Sequence, residues 1–175
     1  MDQVILVDEN DCPIGIEEKL KAHQEGKLHR AFSIFIFNSK NELLLQQRAF
    51  GKYHSEGLWS NTCCSHPRPK EKILDAAHRR LQEEMGFDCE LKEIFSFVYK
   101  ANLDKGLIEN EFDHVLVGRY NDQPVINQSE AASAKWIDAQ SLIADMQNNP
   151  KQYTFWFREC LGKVLDNIER KTIIF

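Results

Sequence analysis

One helix constrains this chain more than any other feature. In EKILDAAHRRLQEEM (71–85), Ile73, Ala77, Leu81 and Met85 recur at every fourth position, and Gly86 stands where a helix stops. Strand patterns surround it. Residues 4–7 are a short apolar run leading to a turn at 9–13. AFSIFIFNSKNELLLQQR reads as a hairpin, with an aromatic-rich strand at 31–37, a turn at 38–41 and a second strand ending at Arg48. After the helix, 93–100 and 109–120 read as strands joined by a turn at 104–106. A strand near 134–137 and helices near 139–146 and 151–168 complete the chain. A short helix is expected at 17–23, while 49–69, with Gly51, Gly57 and two prolines, shows no clear period. Strands and helices alternate irregularly, with hairpins in place of repeated βαβ units. The expected class is therefore α+β: a mixed β-sheet sandwich flanked by helices, as one domain over 1–175.

Composition narrows the function. With 42% hydrophobic and 28% charged residues the chain can build a core, and a net charge of −5 leaves no basic excess to neutralise nucleic-acid phosphates. No apolar run approaches bilayer-spanning length, and the acidic start MDQVILVDENDCPIG is unlike a secretory signal. No membrane partner is expected, and the cytoplasm is the expected compartment. The five cysteines (Cys12, Cys63, Cys64, Cys89, Cys160) are odd in number and lack CxxC spacing, which suits free thiols or ligands. The apolar end KTIIF suits docking on some surface.

The polar face of the helix carries chemistry. Arg79–Glu83 and Arg80–Glu84 are i,i+4 pairs, which alone describe a salt-bridged, solvated face. Glu84, however, lies in the last turn, where the helix dipole disfavours an acid. A divalent cation against that carboxylate would relieve the cost, and Mg²⁺ is commonly held by one or two carboxylates plus substrate phosphates. The spacing resembles the Nudix box, G-x5-E-x7-R-E-U-x-E-E-x-G-U. Aligned on Gly86, the chain supplies Glu71, Arg79, Leu81, Glu83, Glu84 and Phe87, but has Ser65 for the first glycine and Arg80 for the glutamate after the arginine. The lost glutamate belongs to the box's metal-binding set, which counts against plain Nudix hydrolysis. An arginine there would instead contact a phosphate.

Two further stretches need a task. SNTCCSHP packs Cys63, Cys64 and His66 together, as half a metal site, a thiol beside a base, or a redox pair. Glu109 and Glu111 of ENE open a strand, where residues i and i+2 share a face, so the two carboxylates repel unless a cation lies between them. His23, His29 and His66 are candidate co-ligands, and three imidazoles with two carboxylates suit Zn²⁺ or Mn²⁺. Edge decoration by the glutamates and ordinary surface histidines remain open as alternatives.

The segments EKLKAHQEGKLHRAFS, NTCCSHP, RRLQEEMG and VYKANLDKGLIENE, with the late Trp156, follow the order and approximate spacing of the type I isopentenyl-diphosphate isomerases. That family, which the chain resembles from about Val4 to Trp156, uses a Nudix-like fold to isomerise rather than hydrolyse. The resemblance implies conversion of isopentenyl diphosphate to dimethylallyl diphosphate in isoprenoid biosynthesis, by a monomer or weak homodimer. It further implies that Cys64 is catalytic and Cys63 packing, with Glu111, assisted by Tyr99, as the other catalytic group. His23, His29, His66, Glu109 and Glu111 match the ligands of a buried divalent metal, and Glu84 matches the residue that holds Mg²⁺ against the diphosphate. Lys19, Arg48, Lys52 and Arg80, with Ser65 nearby, match the basic surroundings of that group. Trp156 would face the carbocation, although at helical spacing in YTFWFRECL an aromatic is otherwise core. Glu111 with Tyr99 is expected to deliver the proton and Cys64 to remove one, under covers formed by 49–59 and 19–29.

A Nudix hydrolase of a small diphosphate is the alternative. It accommodates Glu83 and Glu84 but gives Cys64, Glu109 and Glu111 no shared task. A structural zinc module on Cys63, Cys64 and His66 lacks a second Cys/His pair.

Overall fold

A computed structural model describes residues 2–171; Met1 and residues 172–175, hence all but the first residue of KTIIF, lie outside the described residues. The strands are β1 (Gln3–Val7), β2 (Pro13–Glu18), β3 (His29–Phe37), β4 (Leu43–Arg48), β5 (Trp59–Ser60), β6 (Cys63–Ser65), β7 (Leu91–Asn102), β8 (Ile108–Arg119) and β9 (Ala131–Ile137). The helices are α1 (Lys19–Glu25), α2 (Ile73–Met85), α3 (Ala139–Asn148) and α4 (Phe155–Lys171).

All nine strands join one mixed sheet in which β3 is the hub. It pairs antiparallel with β1, β4 and β6, and parallel with β8 from His29↔Glu111 to Phe37↔Arg119. The run HRAFSIFIF is buried nearly throughout, as a central strand covered on both faces requires. Alternation sends Phe35, Phe37, Val115 and Val117 beneath α3 and α4, where they meet Leu142, Phe157 and Leu161. Phe32, Ile34, Ile36 and Leu116 point the other way, onto Ala77, Leu81 and Met85 of α2. The result is the expected α+β sandwich.

Helix α2 starts at Ile73, two residues later than the sequence suggests, because the Glu71 carboxylate accepts from the Arg68 backbone N–H and pairs with Arg79. It ends at Gly86 in the left-handed region (φ 75°), where an added Cβ would meet the Val125 carbonyl oxygen at 2.3 Å. Only glycine fits there.

Several local expectations need correction. The stretch 49–69 is not structureless, since β5 and β6 lie within it and β6 pairs with β3. Strands of two and three residues are too short to display a period. The 31–48 hairpin closes at Phe37↔Leu43 and then parts, because β8 and β6 take the edges of β3 while β4 pairs with β9 and β5. Residues 13–18 form an edge strand with Ile14 and Ile16 exposed, which moves α1 to Lys19–Glu25. α4 starts at Phe155 after a 3₁₀ turn at Pro150–Gln152. As expected, all five cysteines are free. No helix among the described residues is long and apolar enough to cross a membrane.

Candidate active site

A cavity of about 300 Å³ opens where α1, the loop after β4, the last turns of α2 and the start of α4 meet the sheet. Its buried end grows from strand register. β3 sets His29 beside Glu111 on β8, and β7 sets Tyr99 on the other side of Glu111. His23 arrives from α1 and His66 from the residue after β6. His23 Nδ1 donates to the Lys19 carbonyl and His29 Nδ1 to the Lys27 carbonyl, both at 2.8 Å. A carbonyl can only accept, so each ring keeps its proton on Nδ1 and turns an Nε2 lone pair inward.

Those lone pairs converge. His29 Nε2 lies 3.2 Å from His66 Nε2, and Glu111 Oε1 lies 3.0, 3.5 and 3.9 Å from Nε2 of His66, His29 and His23. Two donors bound about 2.1 Å from one ion stand roughly 3.0 Å apart if adjacent and 4.2 Å if opposite, so these separations suit a shared cation. His23 Nε2 is buried without a hydrogen-bond partner among the described residues. Burial also depresses the His23 pKa and takes His66 down to about 3, leaving both imidazoles neutral and able to bind a metal. Burial alone would raise Glu111, but the His29 and His66 imidazoles beside it hold its carboxyl well below the usual carboxylate range. This His/Glu cluster supports divalent-metal binding.

Glu109 stands slightly apart from those four. It groups with His23 and His54, its Oε1 lying 3.8 Å from His54 Nε2. The Tyr99 hydroxyl faces both carboxylates, at 2.6 Å from Glu111 and 3.1 Å from Glu109. Burial and the neighbouring Glu111 charge push Glu109 well above its ordinary pKa. One step further along the same strand face, Asp113 accepts from Ser33 Oγ at 2.8 Å.

The open end is basic. Arg80 reaches Glu84 at 2.5 Å and Glu130 at 3.1 Å, and Lys52 reaches Glu130 at 2.5 Å. Glu84, in the last turn of α2, also accepts from Gln46 Nε2 at 2.9 Å, so its unfavourable dipole position is met by Arg80 and an amide. Arg48 lies with its guanidinium carbon 5.3 Å from the Trp156 ring centroid. The Nε–H groups of Arg48 and Arg80 are buried with no acceptor among the described residues. Lys19 lines the same end, its pKa lowered by burial, and Ser65 is close by.

Between the ends lie Cys64 and Trp156. Alternation along β6 buries Cys63 in the core under α2 and turns Cys64 to the opposite face, across from Ser33. The Cys64 thiol donates to Asn61 Oδ1 at 2.9 Å, and Asn61 Nδ2 donates to the Ile34 and Cys63 carbonyls, both at 3.1 Å, which fixes the amide's orientation. Ser60 Oγ accepts from Trp156 Nε1 and donates to the same Asn61 oxygen, each at 3.0 Å. A buried chain thus ties the indole to the thiol. Burial pushes the Cys64 thiol far up, so it is protonated at rest.

Of the residues singled out in the sequence, twelve line the cavity directly, whereas His23 and His29 stand behind its wall with their Nε2 atoms facing Glu111. Sequence reasoning missed Tyr53, His54, Asn61, Asp113 and Glu130. Asp113 was within reach, since it continues the i, i+2 face of Glu109 and Glu111. The loop residues offered no periodic signal.

The NUDIX domain family matches residues 27–157. Isopentenyl-diphosphate Delta-isomerase 2 of Aromatoleum aromaticum is 58% identical, covering 94% of this chain and 87% of that protein. Isopentenyl-diphosphate Delta-isomerase 2 of Photorhabdus laumondii is 53% identical over 93% of this chain and 92% of its own length. Among solved structures, a Deinococcus radiodurans protein superposes with a TM-score of 0.71 at 18% identity, covering 84% of this chain and 90% of its own. A MutT protein from Methanosarcina mazei gives 0.66 at 15% identity, covering 84% and 96%. At these identities the structural likeness concerns the fold alone.

Proposed function

The chain belongs to the NUDIX-domain family of isopentenyl-diphosphate Delta-isomerases, and we propose that it converts isopentenyl diphosphate to dimethylallyl diphosphate with the groups of this one cavity. The substrate's double bond is unactivated, and its isomer differs by one proton shift across three carbons. An acid must protonate the terminal CH₂, giving a tertiary carbocation, and a base must take a proton from the adjacent CH₂. The observation that carries the reading is that Cys64 and the Tyr99–Glu111 pair line the same cavity as Trp156 and a basic end with spare N–H donors.

In this reading Lys19, Arg48, Lys52 and Arg80 hold the diphosphate, with Ser65 beside it. The Nε–H groups of Arg48 and Arg80, which have no acceptor among the described residues, supply hydrogen bonds to it. Glu84 would hold Mg²⁺, whose remaining ligands come from the diphosphate and water. His23, His29, His66, Glu109 and Glu111 would hold a second divalent ion, Zn²⁺ or Mn²⁺, which when bound fixes the orientation and acidity of Glu111. Glu111 with Tyr99 delivers the proton in the forward direction, and the Tyr99 hydroxyl also lies within 3.1 Å of Glu109. Cys64 takes the proton from the other carbon. A resting Cys64 thiol is the form that begins the reverse reaction.

The Trp156 face, held by Ser60, stabilises the cation by about 2 kcal/mol or more when desolvated, without adding to it as a nucleophile would. Tyr53 and His54 on the covering loop help exclude water, which would capture the cation as an alcohol. Five free cysteines suit a reducing cytoplasm.

The test is NMR of isopentenyl diphosphate incubated in D₂O with protein, Mg²⁺ and Zn²⁺ or Mn²⁺. The allylic isomer should appear with deuterium incorporated, and Cys64→Ala should abolish it. Phosphate release that survives Cys64→Ala would point to a Nudix hydrolase of a small diphosphate instead.

A further inference from the structure

Two sets of metal-binding donors meet at the buried end of the cavity. One comprises His23, His29, His66 and Glu111, the other His23, His54 and Glu109, and within each set all the donor atoms lie within 4.8 Å of one another. His23 belongs to both. Its Nδ1 proton is committed to the Lys19 carbonyl, so its one free lone pair is on Nε2, and that buried atom has no partner among the described residues. One lone pair serves one ion. The two sets share that single lone pair but do not merge into one within that distance, so binding all six donors to one ion would draw His54 and Glu109 inward.

We propose that His54 is a fourth imidazole ligand of the buried cation, binding through Nε2 next to Glu109. The proposal rests on the reading of this end as a divalent-cation site and extends it to a residue on the covering loop. Four observations place His54 there. It is 3% exposed, and its ring stacks at 27° to that of His23 with centroids 6.0 Å apart. Its Nδ1 faces Ser55 Oγ at 3.2 Å, and in the tautomer that donates to this oxygen the Nε2 lone pair is directed inward. Nε2 lies 3.8 Å from Glu109 Oε1, within the roughly 3.0–4.2 Å expected of two donors on one ion. Its carbonyl accepts from Arg48 Nη2 at 3.2 Å, which pins the loop at this residue.

The chemistry of such a centre follows from its donor count. Four neutral imidazoles and two carboxylates supply six donors and balance a divalent charge. A set rich in nitrogen favours Zn²⁺ or Co²⁺ over Mg²⁺. Six protein ligands leave no coordination position for water, which suits a cavity that must keep water away from a carbocation. The loop carrying His54 also forms part of the cavity cover, so loading the ion would fasten that cover.

The experiment strips the purified protein with chelator and reloads it with Co²⁺ or Zn²⁺, comparing wild type, His54→Gln, His54→Ala and, as a control, His78→Ala on the outer side of α2. Metal analysis should find one ion per chain at this end in the absence of Mg²⁺. Wild-type Co²⁺ protein should show the weak visible bands of six-coordination, and His54→Ala the stronger bands of a lower coordination number. Zn²⁺ affinity by chelator competition should fall about 10–100-fold in both His54 variants and not in His78→Ala. Circular dichroism of the stripped proteins checks folding, and the near-isosteric His54→Gln carries the test if His54→Ala does not fold. Unchanged bands and affinity in folded His54 variants would overturn the proposal. So would two ions per chain, one of them lost on mutation, since that would make His54 part of a separate site. If wild type takes up no stoichiometric Zn²⁺ or Co²⁺, the cation reading itself has failed rather than the role of His54 within it.

Discussion

The two ends of the cavity are built on opposite surpluses. At the buried end lone pairs outnumber protons: His23 and His29 have spent their ring protons on backbone carbonyls, and Glu111 sits among three Nε2 atoms. At the open end donors outnumber acceptors, and Nε–H of both Arg48 and Arg80 has no acceptor among the described residues. The first end is fixed by strand register and backbone hydrogen bonds. The second consists of long side chains now paired with Glu84 and Glu130, which must re-pair when an anion arrives. In the proposed mechanism this contrast becomes a division of labour: a rigid end suited to a cation carries Glu111, and an adaptable end suited to an anion would take the diphosphate.

The largest test of that division lies at the reacting groups. Glu111→Gln and Cys64→Ala should each lower kcat about 10³-fold, within the 10²–10⁴ typical of lost proton transfer, and leave KM within a few-fold in steady-state assays. Arg80→Ala should do the reverse, raising KM about 10–100-fold as charge-assisted hydrogen bonds worth about 1.5–3 kcal/mol are lost, with kcat changed far less. If Arg80→Ala lowers kcat and leaves KM alone, the two ends are not separate and the division fails.

Acid should expose the buried end before the open one. Burial, the largest cause, and the charge of Arg48 lower the pKa of His54 to about 2, against about 6.5 when unfolded. Below about pH 6.5 the unfolded chain therefore binds a proton that the folded chain refuses, and stability falls as pH drops, by at most about 1.4 kcal/mol per pH unit for this one group. Glu109 and Asp113, whose folded pKa values are raised by burial, contribute with the opposite sign, so the informative quantity is a difference. Relative to wild type, metal-stripped His54→Gln should gain stability steadily from pH 7 to pH 5 in urea denaturation. A pH-independent difference would mean that His54 takes up its proton equally in the folded and unfolded chain.

How much of this was legible depends on whether a residue's role is periodic. Helix α2, the core of β3 and the shared face of Glu109 and Glu111 could be read because a period of 3.6 or 2 repeats often enough to stand out. β2 could not, because Ile14 and Ile16 are exposed on an edge strand and leave no buried face to trace. The parting of β3 from β4 was hidden for another reason. Turn residues 38–41 fix the local reversal, but the choice of neighbour is made by β8, some eighty residues further along the chain. At the site, His29 and Glu111 were found separately, and only the parallel register sets them side by side. His54, Asn61 and Glu130 lie on loops or very short strands, where neither spacing nor residue type separates a buried participant from surface decoration.

The smallest expected effect tests the same logic at one peptide bond. Cys63 and Cys64 are adjacent on β6, so alternation must send them to opposite faces of the sheet. Cys63 is 1% exposed and packs under α2, whereas Cys64 lines the cavity. Cys63→Ala removes one buried sulfur and should cost about 1 kcal/mol. In a chain of 175 residues that lowers Tm by about 2–4 °C. Activity should stay within about two-fold of wild type, because Cys63 packs in the core under α2 and its carbonyl, which accepts from Asn61, is unchanged by the substitution. Thermal unfolding and a turnover assay on the same sample decide the matter. A silent Cys63→Ala beside an inactive Cys64→Ala would show that the cavity face of β6, not merely its pair of thiols, carries the chemistry. An inactive Cys63→Ala that melts normally would reverse the assignment of the two faces.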